Sequence, residues 1–530
     1  VGLWPLAELF VEIHALPFFY RSVQHGAMSK ESVIVIGGGV AGLTAGSLLA
    51  HEGVPVTLLE AHHQPGGCAG TFSRGPYVFD AGATQVAGLE RGGIHERLFR
   101  HLEIPLPEAA LLDPVCLVDL LDGHDPIHLW HDSKRWEDER KRHFPGSEIF
   151  WWLCSALHKS NWAFAVRDPV LPIRNFWDFK QLFKALGPLN LSTSLLSKLT
   201  VADLLKMTAC HKDERLWQFL EMQLRLYSQE PLDRTAALYG ATVLQMAHEP
   251  LGLWHLEGSM QKLSDHLVEG FLRDSGLMQC RHRVVGLSLN NSSQQWEVDV
   301  IGPTGRSMQF QASDVVCSLP PQCLLDLLPP KKGCINQYRR KLEELPQPSG
   351  AIVFYGAINR SDIPKDCPSH LQLAFSGYGS LFVSLSREND GRAPLSQATL
   401  IASVFTETSH WFHLDDFEYQ QKKQVFLSTI VQRIENWLKL EPGNWLHKEL
   451  ATPRSFAKWT RRPMGIVGGL GQHPSVFGPF GLSSRTPIRG LWLCGDSIYP
   501  GEGTAGVSQS ALMAFRQLMA ERGKNIDISL

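Results

Sequence analysis

The chain has 530 residues, 50 of them basic and 53 acidic, for a formal net charge of −3. Charge this evenly balanced leaves no electrostatic footprint for nucleic acid, and the length is enough for two or three lobes built around large cores. The ten cysteines are scattered with no CxxC pair, so they fit neither a disulfide framework nor a zinc site.

The 22 histidines, including the adjacent His62 and His63, have no partners at metal-ligand spacing, and no metal is expected. No stretch of roughly 18 consecutive apolar residues suggests a membrane span. Residues 1–27 contain Leu3, Trp4, Leu6, Leu9, Phe10 and Ile13, but also Glu8, Glu12 and Pro17 and no basic leading segment, which argues against a signal peptide. The favoured reading of residues 1–30 is an extension of the reading frame ahead of Met28; an amphipathic membrane anchor is the alternative.

The first strong element is VIVIGGGVAGLTAGSLLAHEGVPVTLLE, residues 33–60. Its pattern predicts a buried strand over Val33 to Ile36, a glycine turn, a helix from about Ala41 to His51 and a second strand over Val56 to Leu59. Gly37 permits the tight turn, Gly39 leaves room for a pyrophosphate against the main chain, and Gly42 lets helix and strand pack closely. The helix start presents free N–H groups to phosphate. Glu60, 18 residues beyond Gly42, is placed to accept from ribose hydroxyls.

A glycine-rich passage follows, with a short strand at Tyr77 to Phe79. Residues 98–249 read as helical and aromatic, and residues 250–325 as a helix and strands that return to the nucleotide lobe. Residues 326–480 read as a separate substrate lobe, with an antiparallel sheet between Gly350 and Thr408, then a helix and a long irregular loop. Residues 481–530 complete the nucleotide lobe, whose first part spans 31–97. They hold a strand over Gly490 to Cys494 and a helix from about Ala505 to Arg522.

Gly501, Gly503 and Gly506 match the same fingerprint, but six residues, including Pro500, separate them from their strand. No further βαβ unit can follow, so a second dinucleotide turn is rejected. A helix start near Gly506 and Val507 suits the electron-rich side of a flavin, and Asp496 suits its ribityl chain. One dinucleotide turn plus this loop favours FAD as the cofactor, with quinone or oxygen as electron acceptor.

The motifs GGGVAG, GGCAGTF (66–72), FDAGATQ (79–85) and GLWLCGDSIYPGEGTAGVSQSAL resemble the phytoene desaturase and carotenoid isomerase family of FAD proteins. The closing motif and DAGATQVAGLERGGIHERLF look most like the cyanobacterial C-3',4' carotenoid desaturases. The resemblance runs from about Ser32 to Leu518.

It implies an α/β fold: a Rossmann-like FAD-binding lobe of discontinuous segments, an α+β substrate lobe and a helical membrane-facing region. Gly37, Gly39, Ala41 and Gly42 would hold the pyrophosphate, Glu60 the adenosine ribose, Gly67 the phosphate side of the flavin, and Val284 the adenine through its main chain. Asp496, Thr504, Gly506 and Val507 would meet the ribityl chain and pyrimidine ring. One departure is Cys68, where many relatives carry Arg after the double glycine.

The implied activity is desaturation of a carotenoid, with hydride transfer to flavin in a dry tunnel. Glu502 is the acid nominated as catalytic base, against the plainer reading of a solvent-facing acid, and His255 is a weaker candidate. The implied partners are a hydrophobic polyene and the surface of a cyanobacterial cytoplasmic or thylakoid membrane, touched from the cytoplasmic side without being crossed. Alternatives are a carotenoid cis-trans isomerase or saturase, an amine or porphyrinogen oxidase, and a lipid-escort protein without flavin chemistry.

Overall fold

The run Val33–Ile36 is buried along its whole length because both faces of its sheet are covered. In the computed structural model, which describes residues 31–290, 292–329 and 333–528, Val33 and Val35 face a helical layer, while Ile34 and Ile36 face an antiparallel meander. This is the period-two alternation of a strand, invisible in composition because apolar residues serve both sides. The extension at residues 1–30 lies outside the described residues.

Five strands form the parallel nucleotide sheet, in the spatial order Leu277–Gln279, Val56–Leu59, Val33–Ile36, Asp314–Cys317 and Leu491–Leu493. Three helices, Val40–His51, Gln261–Arg273 and Thr504–Glu521, share the core on one face through Leu48, Leu267 and Phe515. On the other lie Trp296, Val298 and Val300 of the meander Arg283–Asn290, Gln295–Ile301 and Ser307–Ala312. The lobe is Rossmann-like and is assembled from segments far apart in the chain.

The substrate lobe is built on a seven-stranded sheet, ordered Trp445–Ala451, Gly350–Asn359, Gln397–Thr406, Gly379–Leu385, His370–Phe375, Cys116–Asp119 and Ile127–Leu129. Its 350–408 portion is antiparallel, as its alternation predicts. The whole sheet is mixed, because Cys116–Asp119 runs parallel to His370–Phe375. Residues 98–249 therefore hold strands as well as helices; runs of three or four residues carry too little period to be told from helix, and long-range pairing decides them. The edge strand Trp445–Ala451 likewise falls in the segment expected to be an irregular loop.

Alternation again sorts the two faces. Phe354, Ile358 and Leu400 pack under the long helix Asp416–Leu438, against Phe426, Ile430 and Ile434. Val353, Tyr355 and Ile401 point the other way, toward Phe79.

A buried ionic knot ties the lobes together. Arg392 donates to Asp80 at 3.1 Å, to Asp390 at 3.0 Å and to the Leu256 carbonyl at 2.9 Å, and Asp80 also accepts from the Met260 amide. Burial raises the Asp80 pKa while Arg392 opposes it. Replacing Arg392 with Met leaves two buried carboxylates uncompensated, and the expected loss is about 3–5 kcal/mol, read as a lower urea midpoint with an unchanged slope.

Candidate functional site

The two glycine turns are built alike. Each opens a helix whose N-cap is a glycine, Gly39 or Gly503, with no side-chain cap and no acid in the first turn, so backbone N–H groups remain for an anionic ligand. A Cβ on Gly42 would sit 2.0 Å from the Gly37 carbonyl, and one on Gly506 would sit 2.4 Å from the Gly501 carbonyl. Both helices can close onto their turns only because these residues are glycine.

The turn Gly37 to Gly42 abuts the GGC passage. Gly66 donates to the Gly38 carbonyl at 2.8 Å, and Gly67, at φ +57°, brings its backbone close enough that an added Cβ would lie 3.1 Å from the Gly39 Cα. Two stretches of bare backbone thus face each other, a passage suited to a pyrophosphate. Ala41 is buried in the first turn of the helix beside it.

Glu60 sits at the end of its strand, with one carboxylate oxygen accepting from Gly38 at 2.6 Å and the other from His62 at 2.7 Å. Burial raises its pKa, and these backbone donors act to lower it. Each oxygen keeps a lone pair for a hydroxyl. His282 donates to the Glu60 carbonyl, which leads the chain into the strand holding Val284 on the same side of the lobe. These residues fit the adenosine diphosphate part of a dinucleotide cofactor such as FAD.

Beyond Gly67 the chain opens onto a cavity of about 1250 Å³, larger than the roughly 300–1,000 Å³ of ordinary small-molecule pockets. One part of its wall is glycine-lined, with Gly67, Cys68, Gly82, Thr504 and Gly506. Much of the rest is apolar: Val353, Ile401 and Phe382 from the sheet, and Trp162, Leu182 and Tyr239 from the helices. Val507 packs into the nucleotide core behind this wall.

Asp496 follows the last strand of the parallel sheet and accepts from Arg462 at 3.0 Å; the same guanidinium donates to the Gly468 carbonyl. Burial acts to lower the pKa of Arg462, but Cys68 and Asp496 outweigh it and hold the cation firmly charged.

Glu502 lines the cavity instead of facing bulk solvent. Gln229 donates to its Oε2 at 2.6 Å, and Gln229 is itself oriented by the Ser349 amide, which donates to the Gln229 carbonyl oxygen at 3.2 Å. The other oxygen, Oε1, is buried with no hydrogen-bond partner among the described residues. Burial pushes the Glu502 pKa up to about 8, assisted by Asp496 and opposed by the Gln229 hydrogen bond. This upward push favours the protonated form of the carboxyl, whereas the base nominated from sequence acts when ionised.

His255 stands apart. Its Nε2 lies 2.9 Å from both Asp390 and Arg392 in the ionic knot, and it does not line the cavity. Gln229 and Arg462 have no signal in the sequence: the first ends a helix in a left-handed conformation, and the second sits in a loop.

Residues 35–102 match the family model described as an NAD(P)-binding Rossmann-like domain. The chain is 25% identical over 541 residues to the chloroplastic prolycopene isomerase of Daucus carota, covering 95% of this chain and 82% of that protein. It is 24% identical to the all-trans-retinol 13,14-reductase of Danio rerio over 51% of this chain and 44% of that one. Among solved structures, cyclohexylamine oxidase from Brevibacterium oxydans superposes with a TM-score of 0.60 at 16% identity, covering 94% of this chain and all of that one. The fold is that of this amine oxidase.

Proposed function

We propose that the chain is an FAD-dependent oxidoreductase-type enzyme acting on a long conjugated polyene of the carotenoid class. The observation that carries this reading is the continuity of the site: one cavity is walled at one end by the glycine turns and elsewhere by apolar side chains of both lobes. Likeness along nearly the whole chain to a prolycopene isomerase supports the substrate class.

Bound FAD supplies two-electron exchange at carbon, which side-chain acids and bases cannot provide for a hydrocarbon. The chain's own residues hold and shield. Gly37, Gly39, Gly42 and Gly67 receive the pyrophosphate, Glu60 the ribose, and the first turn of Thr504–Glu521 the pyrimidine edge. Val353, Ile401, Phe382 and Trp162 exclude water and hold the polyene in line. Glu502, with Oε1 unpaired, holds the proton that a polyene carbon gains or loses, and Gln229 fixes its orientation.

A neutral acid suits proton delivery, which favours cis-trans isomerisation or saturation. The closing motif favours C-3',4' desaturation, with quinone or oxygen taking the electrons; in that direction Glu502 must first be ionised. Anaerobic incubation of the flavin-loaded protein with poly-cis and all-trans lycopene and with γ-carotene decides between them. Isomer exchange without net change in flavin redox state supports isomerisation, and bleaching with a red-shifted product supports desaturation. An unchanged polyene with flavin in either redox state would sink both.

A further inference from the structure

Among the described residues four acids line the cavity: Glu90, Glu221, Glu407 and Glu502. Two of them are engaged elsewhere. Glu221 pairs with Arg225 at 2.5 Å and accepts from the Leu232 amide at 2.7 Å, and the exposed Glu407 pairs with His410 at 3.2 Å. Glu90 and Glu502 form no ion pair among the described residues. Each keeps one carboxyl oxygen buried with no hydrogen-bond partner, Oε2 in Glu90 and Oε1 in Glu502. Such an orphaned group is rare inside a protein and calls for a reason; on a cavity wall, the reason is a ligand.

The local backbone explains how Glu90 comes to this wall. The chain turns sharply through Gly88 and Gly92, at φ +82° and +79°, and the Gly93 amide donates to the Glu90 carbonyl at 2.8 Å. His95 anchors the turn, with Nδ1 2.9 Å from the Ala87 carbonyl and Nε2 3.1 Å from the Ser508 hydroxyl of the helix Thr504–Glu521. Gly88 comes so near that helix that an added Cβ would lie 3.5 Å from the Ala505 Cβ. Glu502 stands just ahead of the same helix, held by Gln229. Two acids from distant segments thus meet one helix start and one cavity.

The two carboxyls share a further trait: the polar group nearest each is a neutral N–H donor, the Gln229 amide for Glu502 and the Trp254 indole for Glu90. Burial raises the Glu90 pKa, while backbone amides and this indole oppose it. The indole N–H is itself buried without a partner. A neutral donor steadies a carboxylate less firmly than an arginine does, which leaves the group able to exchange a proton.

We propose that Glu90 is the second proton-handling residue of the cavity, taking a proton from one polyene carbon while Glu502 gives a proton to another. The proposal rests on the polyene reading. The O–H bond of Glu502 breaks as a C–H bond forms from the electron pair of a polyene double bond, and the resulting cation spreads along the conjugated chain. A C–H bond facing the Glu90 carboxylate then breaks; its electron pair makes a new double bond and its proton an O–H bond on Glu90. The polyene keeps its formula and its double bonds are shifted, no oxidant is consumed, and the two carboxyls regain their starting states by exchange with water.

The test incubates the flavin-loaded full chain anaerobically with lycopene in detergent and D2O, and reads the recovered polyene by mass spectrometry and NMR. The parent places deuterium on one carbon and removes protium from another. Glu90→Gln keeps the size of the side chain, the flavin and the melting temperature, and lowers removal at the second carbon by about 10²–10⁴-fold. Trp254→Phe lowers it by about tenfold, because the carboxylate has lost a donor. A second readout needs no turnover: the infrared difference spectrum on polyene binding contains a carboxyl band that is absent from Glu90→Gln. Parental removal at the second carbon in Glu90→Gln, or a polyene-binding spectrum identical in parent and variant, would overturn the proposal and leave the polyene reading standing. A parent that exchanges no hydrogen with any polyene and leaves its isomers unchanged would sink that reading and the proposal together.

Discussion

Glu502→Gln is expected to lower kcat on a polyene by about 10²–10⁴-fold, the usual weight of a positioned general acid, while flavin binding and the fold stay intact. The amide keeps the shape of the side chain and can still accept from Gln229, but it has no acidic proton. In the parent, a reaction that needs the protonated acid is active below the Glu502 pKa and falls as pH rises through about 8. A reaction that needs the carboxylate shows the reverse, rising through the same pH. The direction of that limb separates proton delivery from proton removal, and its disappearance in Glu502→Gln assigns it to this residue. A variant with parental kcat and an unchanged limb would make Glu502 a bystander.

The same shift has a stability consequence. The folded pKa lies above that of an unfolded glutamate, so the native state binds the extra proton between roughly pH 4.5 and 8. This group's contribution to stability therefore falls as pH rises through that window.

Gly39→Val is expected to yield a protein that folds but does not hold FAD. A Cβ at Gly39 meets nothing nearer than the Gly67 Cα at 3.9 Å, and the backbone there is extended at φ −73°, so valine costs the fold little. The branched side chain fills the gap between the two bare backbone stretches, where a pyrophosphate has to lie. Affinity should drop at least a hundredfold, about 2.7 kcal/mol. The variant purifies colourless, melts near the cofactor-free parent and gains no melting temperature from added FAD, whereas the parent does. Gly42→Ala is the contrasting case: its Cβ strikes the Gly37 carbonyl at 2.0 Å, so fold and cofactor should be lost together. A yellow Gly39→Val protein would contradict the placement of the phosphates.

The ends of the nucleotide lobe were readable because their chemistry is local. A glycine turn, its flanking strand and the acid after the next strand are fixed by neighbours in the chain, and residues 33–60 fold as their pattern predicts. The strands at Cys116–Asp119 and Trp445–Ala451 were not readable, since each is defined by pairing with a partner far away in sequence. Glu502 stood out as an acid beside a glycine loop, but the upward push on its pKa follows from burial in a cavity assembled from both lobes. Gln229 and Arg462 could not be singled out at all: their roles arise from Glu502, 273 residues away from the first, and Asp496, 34 from the second.

The account's central claim is that flavin and polyene share one cavity. Its most direct measurement is an anaerobic titration of the flavin-loaded protein with a carotenoid in vesicles or detergent, followed through the flavin absorption bands. The account predicts a saturable shift of those bands, with the polyene spectrum altered in the same proportion, and loss of both responses in Gly39→Val. Flavin bands that stay unchanged while the polyene binds would place the two ligands in separate sites and contradict it.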